Sequence, residues 1–317
     1  MKNRAFKIKV NGKILDYRLG SDLDLDEARK FFEKKYKVNK IWQGGRHVLG
    51  FLEKNNRKLF LKLATTEGIS ATTQIEYNWN SAFNKSLPRV RSSFWVPKNW
   101  DSGFYKDKLF YLVTDRFEGR PLVNYPNTAI VSGNFAKNLG SVINFSEAIG
   151  GLNINGVQSS DNVDASNHKE WFVNKTKSWL DSIPENVYEQ HGLENLLTIV
   201  KMGVSKLQVK PRHGDFTPWH LFVLDSGKLG LIDGEHAKAD SVEGYDIGYL
   251  IQRVFSVLKS TKLAEQIFQK LIKRQYSVEK LRVILAARAI GGFLDEFLVE
   301  NPDYLQADRF RNWVVSL

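Results

Sequence analysis

His213-Gly214-Asp215-Phe216-Thr217-Pro218-Trp219-His220 runs into the apolar stretch Leu221–Leu224, turns at Ser226-Gly227, returns as Leu229–Ile232 and ends in Asp233-Gly234-Glu235-His236. Two short apolar runs around a Ser-Gly turn form a β-hairpin, here with one carboxylate just before it and another just after it. A hairpin folds the chain back on itself, so Asp215 and Asp233 are predicted to be neighbours although 18 positions separate them. Two carboxylates held together suit a division of labour: one acts as a base while the other holds a divalent cation, whose charge keeps both ionised. Taken singly, each is also an ordinary turn aspartate. His213, Asp215, His220, Asp233, Glu235 and His236 leave a second chemistry open, a metal-hydrolase site with mixed imidazole and carboxylate ligands.

Working upstream, Leu59-Phe60-Leu61-Lys62-Leu63 is an apolar strand with one lysine. A lysine is costly to bury without a partner, which points Lys62 toward an anion. The alternative is an edge-strand lysine that discourages aggregation. Gln43-Gly44-Gly45-Arg46-His47 puts two glycines in a turn before the strands His47–Glu53 and Lys58–Ala64, where backbone N–H groups could approach phosphate closely. Any tight hairpin also favours glycine there. Residues 6–19 form a further hairpin around Asn11-Gly12, pairing Val10 with Lys13, Ile8 with Leu15 and Lys7 with Asp16. Helices are expected at about 24–36 and 70–84, and strands near 92–97 and 109–114. From about 119, amphipathic stretches at 128–148, 167–182, 185–207, 244–258, 261–274 and 277–298 take over, with Glu118-Gly119-Arg120-Pro121 as the boundary.

Composition narrows the chemistry. The 317 residues contain no cysteine, which removes disulfide scaffolds, thiolate metal sites and cysteine nucleophiles together. Hydrophobic residues make up 42% of the chain, enough for real cores. No apolar run of about 18 residues occurs, and the start MKNRAFKIKVNGK lacks the apolar stretch of a secretory signal. A cytoplasmic protein without a membrane partner is expected. The net charge of +11 is unevenly placed: residues 1–117 hold 24 Lys and Arg against 12 Asp and Glu, while the remainder holds 22 against 23. The excess is scattered, with no arginine-rich tract or recognisable module, so no nucleic-acid partner is expected. An anionic ligand facing the first third, or simply a lysine-rich surface, accounts for it.

The His213–His236 segment, with a polar side chain five positions after Asp215 and an I-D-x-E stretch behind the hairpin, resembles the catalytic segment of the aminoglycoside phosphotransferase and choline kinase superfamily. The resemblance implies an α+β, two-lobed protein-kinase-like fold: a small antiparallel-sheet N-lobe and a larger, mostly helical C-lobe. On that pattern 38–118 is the nucleotide-binding lobe and 119–317 is the helical lobe with the catalytic loop 213–236 and acceptor pocket. Residues 1–37 form a hairpin-helix extension outside the pattern. Asp215 matches the aspartate that accepts a proton from the substrate hydroxyl, Asp233 the aspartate that holds Mg²⁺, and Asp246 the aspartate that braces the catalytic loop. Lys62 matches the phosphate-binding strand lysine and Glu76 its helix partner. Gly44 and Gly45 fit the turn over the nucleotide, and Asp115, Arg116 and Phe117 the hinge beside adenine. Glu235 and His213 are supporting residues next to the site.

One position departs from the pattern. The family's catalytic-loop asparagine is His220 here. Mg²⁺ prefers hard oxygen ligands whereas imidazole suits Mn²⁺ or Zn²⁺. The chain then uses one Mg²⁺ on Asp233, uses Mn²⁺ with His220 as a ligand, or binds nucleotide without transferring phosphate. The resemblance implies ATP or GTP as cofactor and a small-molecule hydroxyl as acceptor. In the helical half, Trp171, Phe172, Trp179, Trp219 and Phe293 are available to a pocket. The acidic Asp240, Glu243, Asp295, Glu296, Glu300 and Asp303 would suit a cationic acceptor, though solvated helix faces explain them equally well.

Overall fold

The computed structural model describes residues 5–10, 12–85, 93–125, 133–154, 156–157, 163 and 165–317. Strands β1 (Lys7–Val10) and β2 (Lys13–Asp16) pair in the expected register, and Lys7 meets Asp16 across it at 2.9 Å. Asn11, at the turn, lies outside the described residues. Helix α1 (Leu25–Glu33) starts at Asp24, whose carboxylate accepts from the N–H groups of Asp26 and Glu27. Strands β3 (Lys37–Gly44), β4 (His47–Lys54) and β5 (Arg57–Ala64) follow, then α2 (Glu67–Asn84), capped by Thr66.

Strands β7 (Asn99–Tyr105) and β8 (Leu109–Asp115) complete a five-stranded antiparallel sheet of order β3-β4-β5-β8-β7. Lys62 is therefore on the central strand, flanked by Leu49 of β4 and Leu112 of β8. The edge-strand reading of this lysine fails. Alternation along β5 buries Leu59, Leu61 and Leu63 on one face and turns Phe60 and Lys62 to the other. One apolar cluster joins α1 to the sheet through Phe32, Val48, Leu52, Leu61 and Val113.

The expected strand near 92–97 is β6 (Phe94–Trp95), and it joins a different sheet; residue 92 lies outside the described residues. β6 runs parallel to β12 (Leu229–Leu231), which pairs with β11 (Leu221–Leu224), which pairs with β9 (Gly119–Pro121). Strand β7 was not expected, because Asn-Trp-Asp-Ser-Gly-Phe-Tyr shows no clean alternation. Its Gly103 lies under the Tyr111 ring, where a Cβ would meet the phenol oxygen at 2.9 Å.

The second half is helical: α3 (Gly133–Gly150), α4 (His168–Leu180), α5 (Glu185–Gln190) and α6 (Leu193–Gly203) come first. Residues 128–132 of the first amphipathic stretch lie outside the described residues. The stretch at 185–207 splits at Gly192, which adopts left-handed φ of 58°. β10 (Val209–Arg212) pairs with β13 (Lys238–Val242) on either side of the β11–β12 hairpin. Helix α7 (Tyr245–Gln252) runs into a π turn at Arg253–Val257, followed by α8 (Thr261–Lys273), α9 (Val278–Phe297) and an unforeseen α10 (Tyr304–Ser316). The larger apolar cluster gathers Phe135, Phe172, Leu196, Phe216, Leu250 and Phe293, and reaches α2 through Trp79 and Phe83.

Candidate active site

The hairpin brings the two aspartates together. The N–H of Ile232 donates to the carbonyl of His220 at 3.2 Å, tying the end of β12 to the start of β11 and placing Asp233 opposite the 215–220 loop. The loop is braced from behind. Asp246, in the first turn of α7, accepts from the N–H groups of His213 and Gly214, both at 2.8 Å. Burial lifts the Asp246 carboxyl to about 6, and those two hydrogen bonds oppose the rise. Gly214 has φ of 87°, and a Cβ there would collide with the His236 carbonyl. His213 is fully buried with its ring edge-on to Trp79, 5.4 Å between centroids, and burial holds its pKa down at about 3. It is a packing residue that stays neutral.

Across the cleft, Lys62 Nζ lies 2.6 Å from Glu76, 2.5 Å from Asp233 and 2.8 Å from Glu235. Burial works against its charge, but the three carboxylates outweigh burial and hold its pKa well above the ordinary lysine value. Asp233 adopts left-handed φ of 67°, an unusual conformation that the hairpin exit imposes on it. Burial opposes its ionisation too, yet Lys62, His220 and Arg46 keep its carboxyl far below the usual range. Glu76 behaves differently: burial pushes it up to about 7 against the pull of Lys62. It is the carboxylate of the group that takes up a proton most readily. Glu235, with no exposed side-chain surface, pairs with Arg46, with Lys62 and with His47 Nε2 at 3.0 Å. Burial would neutralise it, and Arg46 and Lys62, with the His47 contact, hold it ionised well below the ordinary glutamate range.

His220 Nδ1 lies 3.1 Å from the Asp215 carbonyl oxygen and 3.5 Å from its carboxylate, while Nε2 faces Asp233 Oδ2 at 3.5 Å. If Nδ1 donates to that carbonyl, the Nε2 lone pair is left for a cation shared with Asp233 rather than for a hydrogen bond to its carboxylate. Donor atoms of Asp215, His220 and Asp233 all lie within 4.8 Å of one another. Two hard carboxylates and one imidazole fit Mn²⁺ well and Mg²⁺ acceptably. Glu76, Asp233 and Glu235 also cluster, but the Lys62 ammonium already sits among them.

A cavity of about 610 Å³ lies between the five-stranded sheet and the β11–β12 hairpin, a size suited to a small-molecule ligand. Gly44, Gly45 and Lys62 line one side, Asp233 and His220 the other, and Phe60, Leu49 and Phe222 give it apolar walls. Gly45 has φ of 62° at the β3–β4 turn. Asp115, Arg116 and Phe117 line the far end. The N–H groups of Asp115 and Arg116 donate to the carbonyls of Lys98 and Lys58, so the adenine-contact expectation narrows to carbonyl groups and the Phe117 amide.

Of the six residues in the hydrolase reading, Asp215, His220 and Asp233 converge; His213 packs under Trp79, Glu235 is held by cations, and His236 lies against Tyr17. Five of the six acidic residues suggested for a cationic acceptor are engaged with other groups. Asp240 meets Lys238, Glu243 meets Lys280, Asp295 meets Arg253 and Asp303 meets Lys259, while Glu296 accepts from the Asp303 amide and Glu300 is exposed. Arg46 and His47 were not foreseen as site residues; an arginine beside the Gly44-Gly45 turn was the available signal.

No protein-family model matches the chain, and no curated protein matches it by sequence. Solved structures do match. A mutant of aminoglycoside phosphotransferase APH(4)-Ia, in ternary complex with AMP-PNP and hygromycin B, is 15% identical with a TM-score of 0.66, covering 92% of this chain and 98% of that one. The wild-type aminoglycoside 2'-phosphotransferase-IIIa bound to GDP is 13% identical with a TM-score of 0.60, covering 93% and 98%. Choline kinase LicA from Streptococcus pneumoniae is 14% identical with a TM-score of 0.56, covering 92% and 99%. The fold is the one these aminoglycoside phosphotransferases and this choline kinase share, the α+β kinase-like architecture that the catalytic segment pointed to.

Proposed function

We propose that the chain is a phosphotransferase that moves the γ-phosphate of ATP or GTP to a hydroxyl of a small molecule. The observation that carries this reading is the Lys62 ammonium, bound to Glu76 from α2 and reaching Asp233 at 2.5 Å across the cleft. A central-strand lysine paired with a helix glutamate and aimed at the hairpin aspartate has no use in a simple packed core. Each part has a place in phosphoryl transfer, where catalysis is mainly positioning and charge neutralisation. Lys62, oriented by Glu76, steadies the inner phosphates, and the Gly44-Gly45 turn brings backbone N–H groups over them. Asp233 with His220 would hold a divalent cation, Mg²⁺ or Mn²⁺, which when bound neutralises phosphate charge. Asp215 orients the acceptor hydroxyl and takes its proton. Glu235 keeps Arg46, His47 and Lys62 in register, and the Phe60–Phe222 slot receives the base.

The AMP-PNP and hygromycin B bound to the APH(4)-Ia mutant and the GDP bound to the 2'-phosphotransferase support a nucleotide and a small acceptor. His220 favours a second reading, nucleotide binding without transfer. An acceptor panel with nucleoside diphosphate release as readout, run in Mg²⁺ and in Mn²⁺, separates the two. Acceptor-dependent release supports transfer; nucleotide binding with no release for any acceptor in either metal supports the second reading.

A further inference from the structure

A second, smaller cavity of about 100 Å³ opens behind the loop that carries Asp215, with Gly214 in its wall. Lys175 from α4, Arg212 from β10, Arg253 from the π turn and Arg288 from α9 line it. Asp295, paired with Arg253 at 2.9 Å, is the carboxylate among its lining residues. Among the described lining residues, three arginines face this one carboxylate, which leaves the wall positive. Lys175, Arg212 and Arg288 are 5–6% exposed, so water does little to screen them.

Aromatic rings hold these groups together. Arg212 lies 4.1 Å from the Tyr245 ring centroid and Arg288 5.9 Å from the same ring. Arg288 and Arg253 both stack on Tyr249, at 4.0 and 4.6 Å. Stacking orients guanidinium planes without satisfying their N–H groups. Arg212 Nε and Nη1, Arg253 Nε and Arg288 Nε are buried with no hydrogen-bond partner among the described residues. Arg253 Nη2 and Arg288 Nη1 donate to the Tyr249 and Tyr245 hydroxyls, so the tyrosines fix the guanidinium groups in place, and a bound anion would offset the repulsion among these poorly screened like charges. Phe6 and Tyr17 of the N-terminal hairpin close the cavity from above.

We infer that this cavity binds the anionic group of the acceptor, so the substrate is a small hydroxyl compound bearing a carboxylate or a phosphate. The inference rests on the phosphotransferase reading and sharpens it. The cavity has room for about three water-sized sites, which suits the anionic group itself, with the carbon chain reaching out of it. The anion sits on the arginines and the hydroxyl extends past Gly214 to Asp215. The hydroxyl oxygen attacks the γ-phosphorus of a nucleoside triphosphate and forms the new O–P bond. The bridging P–O bond to the β-phosphate breaks, its electron pair leaves with the nucleoside diphosphate, and the hydroxyl proton passes to the Asp215 carboxylate.

Calorimetric titration of the whole protein, its nucleotide site filled with a non-hydrolysable ATP analogue, tests this. The probes are D-glycerate, glycerol 3-phosphate, neutral glycerol and cationic ethanolamine. Glycerate or glycerol 3-phosphate is expected to bind at least tenfold more tightly than glycerol or ethanolamine; whichever wins identifies carboxylate or phosphate. The preference is expected to fall at least tenfold in Arg288→Gln and Arg253→Gln. Equal or tighter binding of glycerol or ethanolamine, no binding of either anion, or anion binding unchanged in both variants would overturn the inference. If the variants fail to fold, the wild-type comparison decides alone. The nucleotide titration is scored separately: failure to bind nucleotide counts against the phosphotransferase reading, and the probes are then titrated into the protein alone.

Discussion

Lys62 holds three carboxylates in one place, and its removal separates stability from catalysis. Lys62→Met leaves Glu76, Asp233 and Glu235 facing one another, with Arg46, His47 and His220 as neighbouring basic groups. Breaking a buried pair this way costs about 3–5 kcal/mol, and chemical denaturation is expected to show a loss of that order. Adding Glu76→Gln should restore part of it, since Glu76 is the member closest to neutrality. His220 makes a second residue-scale expectation. His220→Asn replaces an imidazole with a hard oxygen donor, so turnover in Mg²⁺ is expected to rise relative to Mn²⁺; a ratio that stays fixed would remove His220 from the metal site. His213 sets a pH dependence. Its ring is neutral in the fold down to about 3, whereas the unfolded imidazole protonates near 6.5, so the unfolded state binds the extra proton between those values. Stability is therefore expected to fall as pH drops below 6.5, by about 1.4 kcal/mol per unit from this residue. Denaturation midpoints from pH 7 to 5 should show a shallower slope in His213→Leu.

At the level of elements, legibility followed local pattern. The β1–β2 register, β5 and the β11–β12 hairpin each carried their own turn and alternation, and the chain forms them as read. Strand β7 could not be seen, because its pairing depends on Tyr111 lying over Gly103 rather than on its own alternation. Strand β6 was visible, but its sheet was not, since a two-residue parallel pairing with β12 is a tertiary choice. The Lys62–Glu76 pair was suggested only by resemblance; its three-carboxylate surroundings needed coordinates. The arginine cavity was not legible at all, for Arg253 and Arg288 sit among apolar residues like any helix cation. Packing between elements also gives a test. A Cβ on Gly68 of α2 would come within 2.5 Å of the Asp16 carbonyl oxygen. Gly68→Ala improves helix propensity by about 1 kcal/mol, yet it is expected to destabilise by about 1–3 kcal/mol by pushing the β1–β2 hairpin away.

For the molecule as a whole, the early charge asymmetry acquires a partial meaning. The excess of residues 1–117 includes Arg46 and Lys62 at the cavity between sheet and hairpin, while most of its lysines are on exposed surface. The near-neutral remainder conceals a local concentration of positive charge in the second cavity. The N-terminal hairpin serves both halves: Arg46 donates to the Tyr17 carbonyl at 3.2 Å, and Tyr17 also lines the second cavity. Because the cavity proposed for the nucleotide is built from both the sheet and the β11–β12 hairpin, its ligand should stabilise the whole fold. Saturation at about 100 times Kd contributes about 2.7 kcal/mol, a rise of several degrees in Tm by scanning calorimetry, lost in Lys62→Met. Turnover is the most direct measure: phosphate transfer by purified protein from γ-labelled nucleotide to a responsive acceptor, compared among wild type, Asp215→Ala and Asp233→Ala. Loss of at least about a hundredfold in each variant, with the fold intact by circular dichroism, is the expected result; transfer that survives both substitutions would contradict the assignment of these two aspartates and the reaction built on them.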